Sequence, residues 1–144
     1  MEFPVRFDGY EAKIRESFAR QSIMATFGAE LGAIAPGRVS IRAPILPGAR
    51  QQHGYGHAGL TFTLGDSASG YAALSLLEEE AEVLTAEMKV NLLAPAAGER
   101  LVAEGEVVRP GRRLVVVRAS VFAEDAGARR EIALFQGTMI PVLP

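Results

Sequence analysis

The 144-residue chain contains no cysteine and only two histidines, His53 and His57. The absence of cysteine excludes disulfides, thiolate catalysis and cysteine metal sites, and it suits a reducing compartment. Two histidines are too few for a three-histidine zinc site within one chain. We therefore expect a cytoplasmic protein that holds no metal ion and needs no separate cofactor.

Strong charge and long apolar stretches are also missing. The formal net charge is -2, so no electrostatic field draws the chain to nucleic acid or to a membrane surface. No apolar run approaches membrane-spanning length, and the first residues lack the apolar segment of a signal peptide. Hydrophobic residues make up 49% and charged residues 22%, which is ordinary for a globular protein. We expect one domain over residues 1–144.

The first 27 residues predict an N-terminal helix. Asp8 is a suitable N-cap, and Gly28 is suitable to close the helix after about Thr26. Apolar residues recur at a spacing of four between these points: Tyr10, Ile14 and Phe18. This stripe predicts a single amphipathic helix.

A second helical segment, residues 57–77, combines helical spacing with many small side chains. Its large apolar positions and Ala68 share one face: Leu60, Leu64, Ala68, Tyr71 and Leu74. Its other faces carry glycine, alanine and serine, whose small side chains let a neighbouring backbone approach closely, although glycine and serine lower helix propensity. We therefore predict a long buried helix around which another element wraps.

The remaining segments alternate like strands. Two precede the long helix, residues 28–35 and 38–45. Four follow it: 84–92, 99–109, 112–124 and 129–140. Short turns between strands imply antiparallel neighbours. The order of elements predicts an α+β fold, in which one mostly antiparallel sheet wraps around one long central helix.

Residues 51–66 are the candidate site. A glycine-bearing loop opens into the long helix near His57, where unpaired backbone N–H groups can receive a polarised carbonyl oxygen. Asp66 lies in the same helix among small and apolar residues, where a carboxylate is costly unless paired or used. Alternative interpretations are a satisfied helix-face carboxylate for Asp66 and a capping or core histidine for His57. His53 is expected to be an ordinary loop residue.

These residues carry a resemblance to a known family. His57-Ala58-Gly59 followed by Asp66 resembles the HGG-x6-D pattern of hotdog-fold thioesterases of the phenylacetic-acid-pathway (PaaI-like) type. The segments 90–98, 111–113 and 135–138 are also similar to that family. The resemblance spans about residues 28–142 and implies a hotdog core preceded by the N-terminal helix, residues 1–27.

The resemblance implies a role for each site residue. The backbone N–H of Ala58 would polarise a thioester carbonyl, and Asp66 would attack its carbon or activate a water. Gln51, where the family has asparagine, would place the water or thioester. Thr85 would orient the water, and His57 would fix the loop. Ala58 itself replaces a family glycine, which adds a methyl group and makes a positive φ costly.

The spacing of Ala58 and Asp66 has a geometric consequence. If Ala58 opens the helix, Asp66 lies eight residues further on, about 12 Å away at 1.5 Å per residue. One thioester carbonyl cannot contact both groups of a single chain. If both act together, they come from two chains, so we predict a homodimer with two equivalent sites. The resemblance implies the same assembly, often with dimers paired into tetramers.

The resemblance also implies the substrate, an acyl-CoA hydrolysed to a free acid and coenzyme A. Gly59 and Phe62 are expected to contact it. A pocket lined by Phe62 together with Leu60 and Tyr71 would favour a medium-chain or aromatic acyl group. Three arginines near one turn could bind the coenzyme A phosphates, unless they form an ordinary solvated strand end. They are Arg109, Arg112 and Arg113.

Two other functions remain open from the sequence. A hotdog module can bind acyl-CoA without hydrolysing it, because fold does not determine function. A hydratase or dehydratase of acyl thioesters could pair His57 with Asp66, although hotdog hydratases resemble a different pattern. Free-thiol release separates hydrolysis from both alternatives.

Overall fold

A computed structural model describes residues 2–144, so Met1 of the predicted N-terminal segment lies outside the described residues. The helices are α1 Tyr10–Arg20, α2 Ser22–Phe27 and α3 Ala58–Leu74, with a 3-10 turn at Pro47–Ala49. The strands are β1 Glu30–Ala35, β2 Arg38–Pro44, β3 Glu82–Leu92, β4 Arg100–Pro110, β5 Val115–Asp125 and β6 Ala128–Val142. They form one antiparallel sheet in the order β1-β2-β4-β5-β6-β3. The predicted α+β architecture is confirmed.

Small residues let α3 lie directly on the sheet. Ala68 is fully buried. A Cβ added to Gly105 of β4 would lie 2.5 Å from the carbonyl oxygen of Ala68. Gly65 faces the ring of Phe135 of β6 so closely that an added Cβ would collide with it. The prediction of a buried helix wrapped by another element is therefore confirmed. None of the helices within residues 2–144 is long and apolar enough to cross a lipid bilayer.

The N-terminal segment forms two helices, so the prediction of one helix to Thr26 is wrong. The break is at Gln21, which has an extended backbone (φ -78°, ψ 95°). The Gln21 side chain donates a 2.7 Å hydrogen bond to the Tyr71 hydroxyl of α3, a contact that no local pattern reveals. The Asp8 cap is also wrong, because Gly9 precedes α1 and no side chain caps it. Gly28, with φ 65°, closes α2 as expected.

Strand β3 breaks the alternation that the sequence predicts. At a bulge between Thr85 and Glu87, a step of two residues along β3 matches a step of one residue along β6. A one-residue shift turns the side chains on either side of it to opposite faces. Leu84 is consequently 62% exposed, and Thr85 faces α3. The sequence alternates regularly from Leu84 to Leu92 and so predicts one apolar face for these residues, and this prediction is wrong because the bulge lies between them.

Candidate active site

The loop before α3 is held in place by backbone bonds. The Gln51 N–H donates to the Tyr55 carbonyl at 2.8 Å, and the His57 N–H donates to the Ala49 carbonyl at 2.9 Å. Gly56 bridges to Ala96, in the turn after β3, through a 2.8 Å bond. The residues that open α3 are therefore positioned by their own loop and by the end of β3.

His57 is the N-cap of α3. Its Nδ1 accepts a 2.8 Å hydrogen bond from the Gly59 N–H, so a neutral ring carries its proton on Nε2. This bond is the kind that an N-cap side chain makes to the exposed donors of a first helical turn. The Gly59 N–H is therefore occupied, whereas the N–H of Ala58 is not.

Ala58 is the first residue of α3 and is exposed. Its N–H has no acceptor among residues 2–144. Ala126 is the one non-glycine residue with positive φ in the described chain, so the methyl group of Ala58 causes no such strain. The helix N-terminus adds a partial positive charge at this N–H. The arrangement suits a carbonyl oxygen that gains negative charge.

A cleft of about 470 Å³ lies in front of Ala58. Gln51 and His57 line it on the loop side, and Leu92 and Leu93 line it on the β3 side. The two leucines were not predicted as site residues. Their signal in the sequence is a pair of adjacent apolar residues that ends the alternation of β3.

Gln51 is half-buried and its side-chain oxygen accepts from the backbone N–H of His53. The Gln51 amide NH₂ has no acceptor among residues 2–144 and is the free end of the side chain. His53 is exposed and does not line the cleft. Gln51 therefore stiffens the loop with one end and offers a donor with the other.

Asp66 is half-buried on the one partly exposed stripe of α3, which it shares with Gly59 and Phe62. The Thr85 hydroxyl donates a 2.7 Å hydrogen bond to Asp66 Oδ1. No arginine or lysine pairs with Asp66 in the part of the chain that the structure describes. One carboxylate oxygen is held and the other has no protein donor there. A satisfied carboxylate would also bond a hydroxyl, so this contact alone does not assign a role.

The structure keeps Asp66 and Ala58 apart within one chain. α3 is a continuous helix between them, which separates the two by about 12 Å. Asp66 does not line the cleft at Ala58. Strand β3 runs along both ends of this span, with Thr85 beside Asp66 and Leu92 beside Ala58. The backbone donor of Ala58 and the carboxylate of Asp66 thus lie at opposite ends of one helix segment.

The predicted apolar lining is corrected by the structure. Leu60 is 1% exposed and Tyr71 is 5% exposed, and both lie in the main core. The Tyr71 hydroxyl is satisfied by Gln21 and lies 3.1 Å from Ser17 Oγ. Helical spacing placed them with the core, where α1 covers Tyr71. Only Phe62 is exposed, at 40%, with its ring 6.1 Å from that of Phe135.

Arg109, Arg112 and Arg113 lie at the β4–β5 connection, exposed and without an ion-pair partner in residues 2–144. Pro110 of β4 pairs with Val115 of β5, and Val115 pairs with Met139 of β6. Met139 in turn pairs with Thr85 of β3. The connection is therefore at the Asp66 end of the sheet, three strand spacings or about 14 Å from Thr85. Phosphate binding by these arginines stays a prediction.

Comparisons with known proteins agree on family and fold. Residues 53–128 match the family model described as the thioesterase superfamily. A proposed esterase of Halobacterium salinarum is 31% identical over 140 residues, which cover 91% of each chain. The crystal structure of a thioesterase family protein from Silicibacter pomeroyi is 50% identical, with a TM-score of 0.92 over 94% of this chain and 100% of that one.

The PaaI protein from the phenylacetic acid degradation operon of E. coli is 19% identical. Its structure matches with a TM-score of 0.82 over 92% of this chain and 93% of that one. At this identity the likeness shows the fold alone. The predicted hotdog fold is confirmed by these matches.

Proposed function

Because the chain belongs to the thioesterase superfamily, we propose that it hydrolyses acyl-CoA thioesters at sites shared by two chains, in the manner of the PaaI-like enzymes. One observation carries the proposal. A free N–H at the start of α3 and a carboxylate eight residues later lie along the same exposed edge of β3. Neither half is a complete site for one thioester carbonyl.

The edge of β3 supports a dimer. β3 ends the sheet, so one side of this 11-residue strand has unpaired backbone groups within the chain. Its exposed apolar residues are Leu84, Leu92 and, just beyond the strand, Leu93, at 62%, 59% and 51%. Two copies of β3 paired antiparallel about a two-fold axis near Met88 and Lys89 continue the sheet. This pairing brings the Thr85 end of one strand alongside the Leu92 end of the other.

The dimer completes the chemistry. The thioester oxygen accepts from Ala58 N–H of one chain, which polarises the carbonyl carbon. Asp66 of the other chain, oriented by Thr85, either adds to that carbon or takes a proton from a water that adds to it. Collapse of the tetrahedral species breaks the C–S bond and releases the coenzyme A thiolate, which takes up a proton. In the first route a water then hydrolyses the acyl–Asp66 anhydride, which releases the free acid and restores the Asp66 carboxylate.

The residues around the cleft suggest the acyl group. Leu92, Leu93 and Ile132 line it, and Phe62 of the partner's α3 adds an exposed aromatic ring in the paired arrangement. An apolar lining favours a medium-chain or aromatic acyl group over a small polar one. We propose that the amide NH₂ of Gln51, which lines the cleft, donates to the attacking water or to the thioester oxygen.

A hydratase that uses His57 with Asp66 of the same chain is not favoured by the geometry. His57 precedes α3 and is nine residues from Asp66, about 13 Å along the helix. Its Nδ1 is also engaged by the Gly59 N–H. A hydratase that draws His57 and Asp66 from two chains is tested by hydration of an enoyl-CoA. Non-catalytic binding of acyl-CoA is the other alternative, and it predicts saturable binding with no thiol release.

The test is a panel of acyl-CoAs, from acetyl through medium-chain to aromatic, with release of free thiol as the readout. Wild-type protein should turn over medium-chain or aromatic esters. Asp66→Asn should lower kcat by about 10³-fold, the middle of the range for a general base, while its melting temperature and oligomeric state stay unchanged. Full activity in Asp66→Asn would end the proposed mechanism.

Mixed dimers test whether the site is shared. Ala58→Pro removes the backbone donor and Asp66→Asn removes the carboxylate, so each pure variant should be inactive. Random mixing makes about half of the dimers hybrid, each with one intact site, so about a quarter of wild-type activity should return. Mass spectrometry of differently tagged chains verifies that hybrids form. Hybrids without recovered activity would show that each chain works alone.

A further inference from the structure

A second cleft, of about 360 Å³, lies at the β5–β6 turn. Its lining includes Tyr55 from the loop before α3, Pro95 and Ala97 from the turn after β3, and Asp125 and Arg130 from β5 and β6. None of these residues has a part in the thioester chemistry proposed above. The cleft is therefore free to bind something else.

The second cleft is continuous with the cleft at Ala58. Tyr55 and Pro95 line both of them. The Gly56–Ala96 bridge ties the loop to the turn between the two. Tyr55 precedes Ala58 by three residues, no more than about 11 Å along a fully extended chain. A ligand held by its carbonyl at Ala58 can thus extend past Tyr55 into the second cleft.

Two adjacent arginines in the second cleft differ in whether they form ion pairs. Arg129 pairs with Glu104 and lies 3.7 Å from Glu124, with its guanidinium 3.8 Å above the Phe122 ring. Arg130 makes no ion pair within the described chain. A fixed and neutralised arginine beside a free one leaves Arg130 as the cation available to an anionic ligand.

The direction of Arg130 fits this availability. Arg130 is opposite Ala123, which is buried on the side of the sheet that faces α3, so Arg130 extends toward the loop that carries Tyr55. Tyr55 is 41% exposed and offers an aromatic face. Asp125 is the acidic group of the cleft, and its carboxylate suits a hydrogen bond from an amino group rather than a phosphate.

We infer that this second cleft binds the nucleotide end of coenzyme A, an inference that rests on the proposed function. Arg130 binds a phosphate by charge-assisted hydrogen bonds, and the Tyr55 ring stacks on the adenine. The thioester and the nucleotide then occupy one continuous groove on one chain, while Asp66 comes from the other. Within one chain, the arginines at 109–113 lie at the opposite end of the helix segment. In the paired arrangement those of the partner chain approach this end, and the variants below separate their contribution from that of Arg130.

The test compares two thioesters with the same acyl group, one on coenzyme A and one on N-acetylcysteamine, which has no nucleotide. Arg130→Ala should raise the KM of the coenzyme A ester about tenfold, the effect of losing about 1.4 kcal/mol. The N-acetylcysteamine ester should show no such rise. Tyr55→Ala should raise the same KM about threefold, and Tyr55→Phe should restore it. Arg20→Ala, another exposed and unpaired arginine, is the matched control.

A rise in KM for Arg112→Ala or Arg113→Ala, with none for Arg130→Ala, would overturn the inference. An equal rise for both esters in Arg130→Ala would also overturn it, because the loss would then lie at the thioester. Carrier-bound thioesters, which lack a nucleotide, should behave like the N-acetylcysteamine ester.

A binding measurement separates this inference from the proposed function. Adenosine 3′,5′-bisphosphate should bind wild-type protein, and Arg130→Ala should weaken that binding about tenfold. The measurement needs no turnover, so it decides the inference even if no acyl-CoA is hydrolysed. Normal hydrolysis together with unchanged nucleotide binding in Arg130→Ala would sink the inference alone.

Discussion

The two ends of the helix segment 58–66 differ in how they are held. At the Ala58 end, backbone bonds of the loop, the His57 cap and the Gly56–Ala96 bridge are all made within one chain. At the Asp66 end, the carboxylate depends on one hydroxyl, that of Thr85, on the edge strand. The Ala58 end is thus held within one chain, whereas the Asp66 end lies against the sheet edge at which we propose that a partner chain pairs.

This difference follows from how far apart in the sequence the contacting residues are. The donor end is built from loop residues close in sequence, with one bridge to the turn after β3. The carboxylate end joins α3 to a strand 19 residues later, and it needs the bulge of β3 to turn Thr85 inward. We therefore expect the conformation at the Ala58 end to persist if the proposed dimer dissociates. The position of the Asp66 carboxylate should instead be sensitive to substitutions along β3.

Among substitutions that test the difference between the two ends, the largest loss of turnover should come from removing the backbone N–H donor of Ala58. Ala58→Pro deletes its N–H, and proline is well accommodated at the first position of a helix. His57 already has the extended backbone (φ -65°, ψ 147°) that a residue before proline requires. We expect kcat to fall about 10²- to 10³-fold, as for loss of one oxyanion donor. Steady-state kinetics with circular dichroism measures this.

Ala58→Gly is the control for that variant, because it keeps the N–H and removes only the methyl group. It should retain turnover within a few-fold. If Ala58→Pro retained wild-type kcat, the start of α3 would have no part in polarising the thioester.

An intermediate effect is expected at the carboxylate end. Thr85→Val keeps the shape of the side chain but removes the donor to Asp66. We expect kcat to fall about 10- to 100-fold, the value of a hydrogen bond to a charged group, with KM little changed. The loss is smaller than at Ala58 because Asp66 itself remains. Thr85→Ser should recover most of the activity, and failure of serine to do so would assign Thr85 a packing role.

The smallest effect on turnover should come from the buried face of α3 beyond Asp66, where the helix packs on β4. Gly105→Ala would place a methyl group 2.5 Å from backbone atoms of Ala68 and Ser69, which cannot rotate away. We expect the free energy of unfolding to fall by about 1–3 kcal/mol, while kcat at 25 °C changes little. Urea unfolding at matched protein concentration measures the loss.

Gly48→Ala is the matched control, since nothing lies within 4 Å of an added Cβ there. Its unfolding free energy should stay within about 0.5 kcal/mol of wild type. Equal stability of the two variants would show that α3 and β4 can separate without loss, contrary to the close packing described above.

Much of the fold could be predicted because its signals are local. Alternation, helical spacing and turn residues identified α3 and all six strands, with ends shifted by a few residues. The break at Gln21 could not be predicted, because it accompanies a bond to Tyr71, 50 residues away. Leu60 and Tyr71 were predicted to line a pocket, but they lie in the core. Helical spacing shows that residues share a face of a helix, but it does not show what packs against that face.

The sequence by itself determined that Ala58 and Asp66 lie on one helix about 12 Å apart, since helical rise is constant. Tertiary structure alone decided that Thr85 contacts Asp66 and that Leu92 and Leu93 line the cleft at Ala58. It also decided that Arg129 forms ion pairs whereas Arg130 has no ion-pair partner within residues 2–144. The physical reason is that strand register, bulges and ion pairs depend on contacts between residues distant in the chain, which local periodicity does not specify.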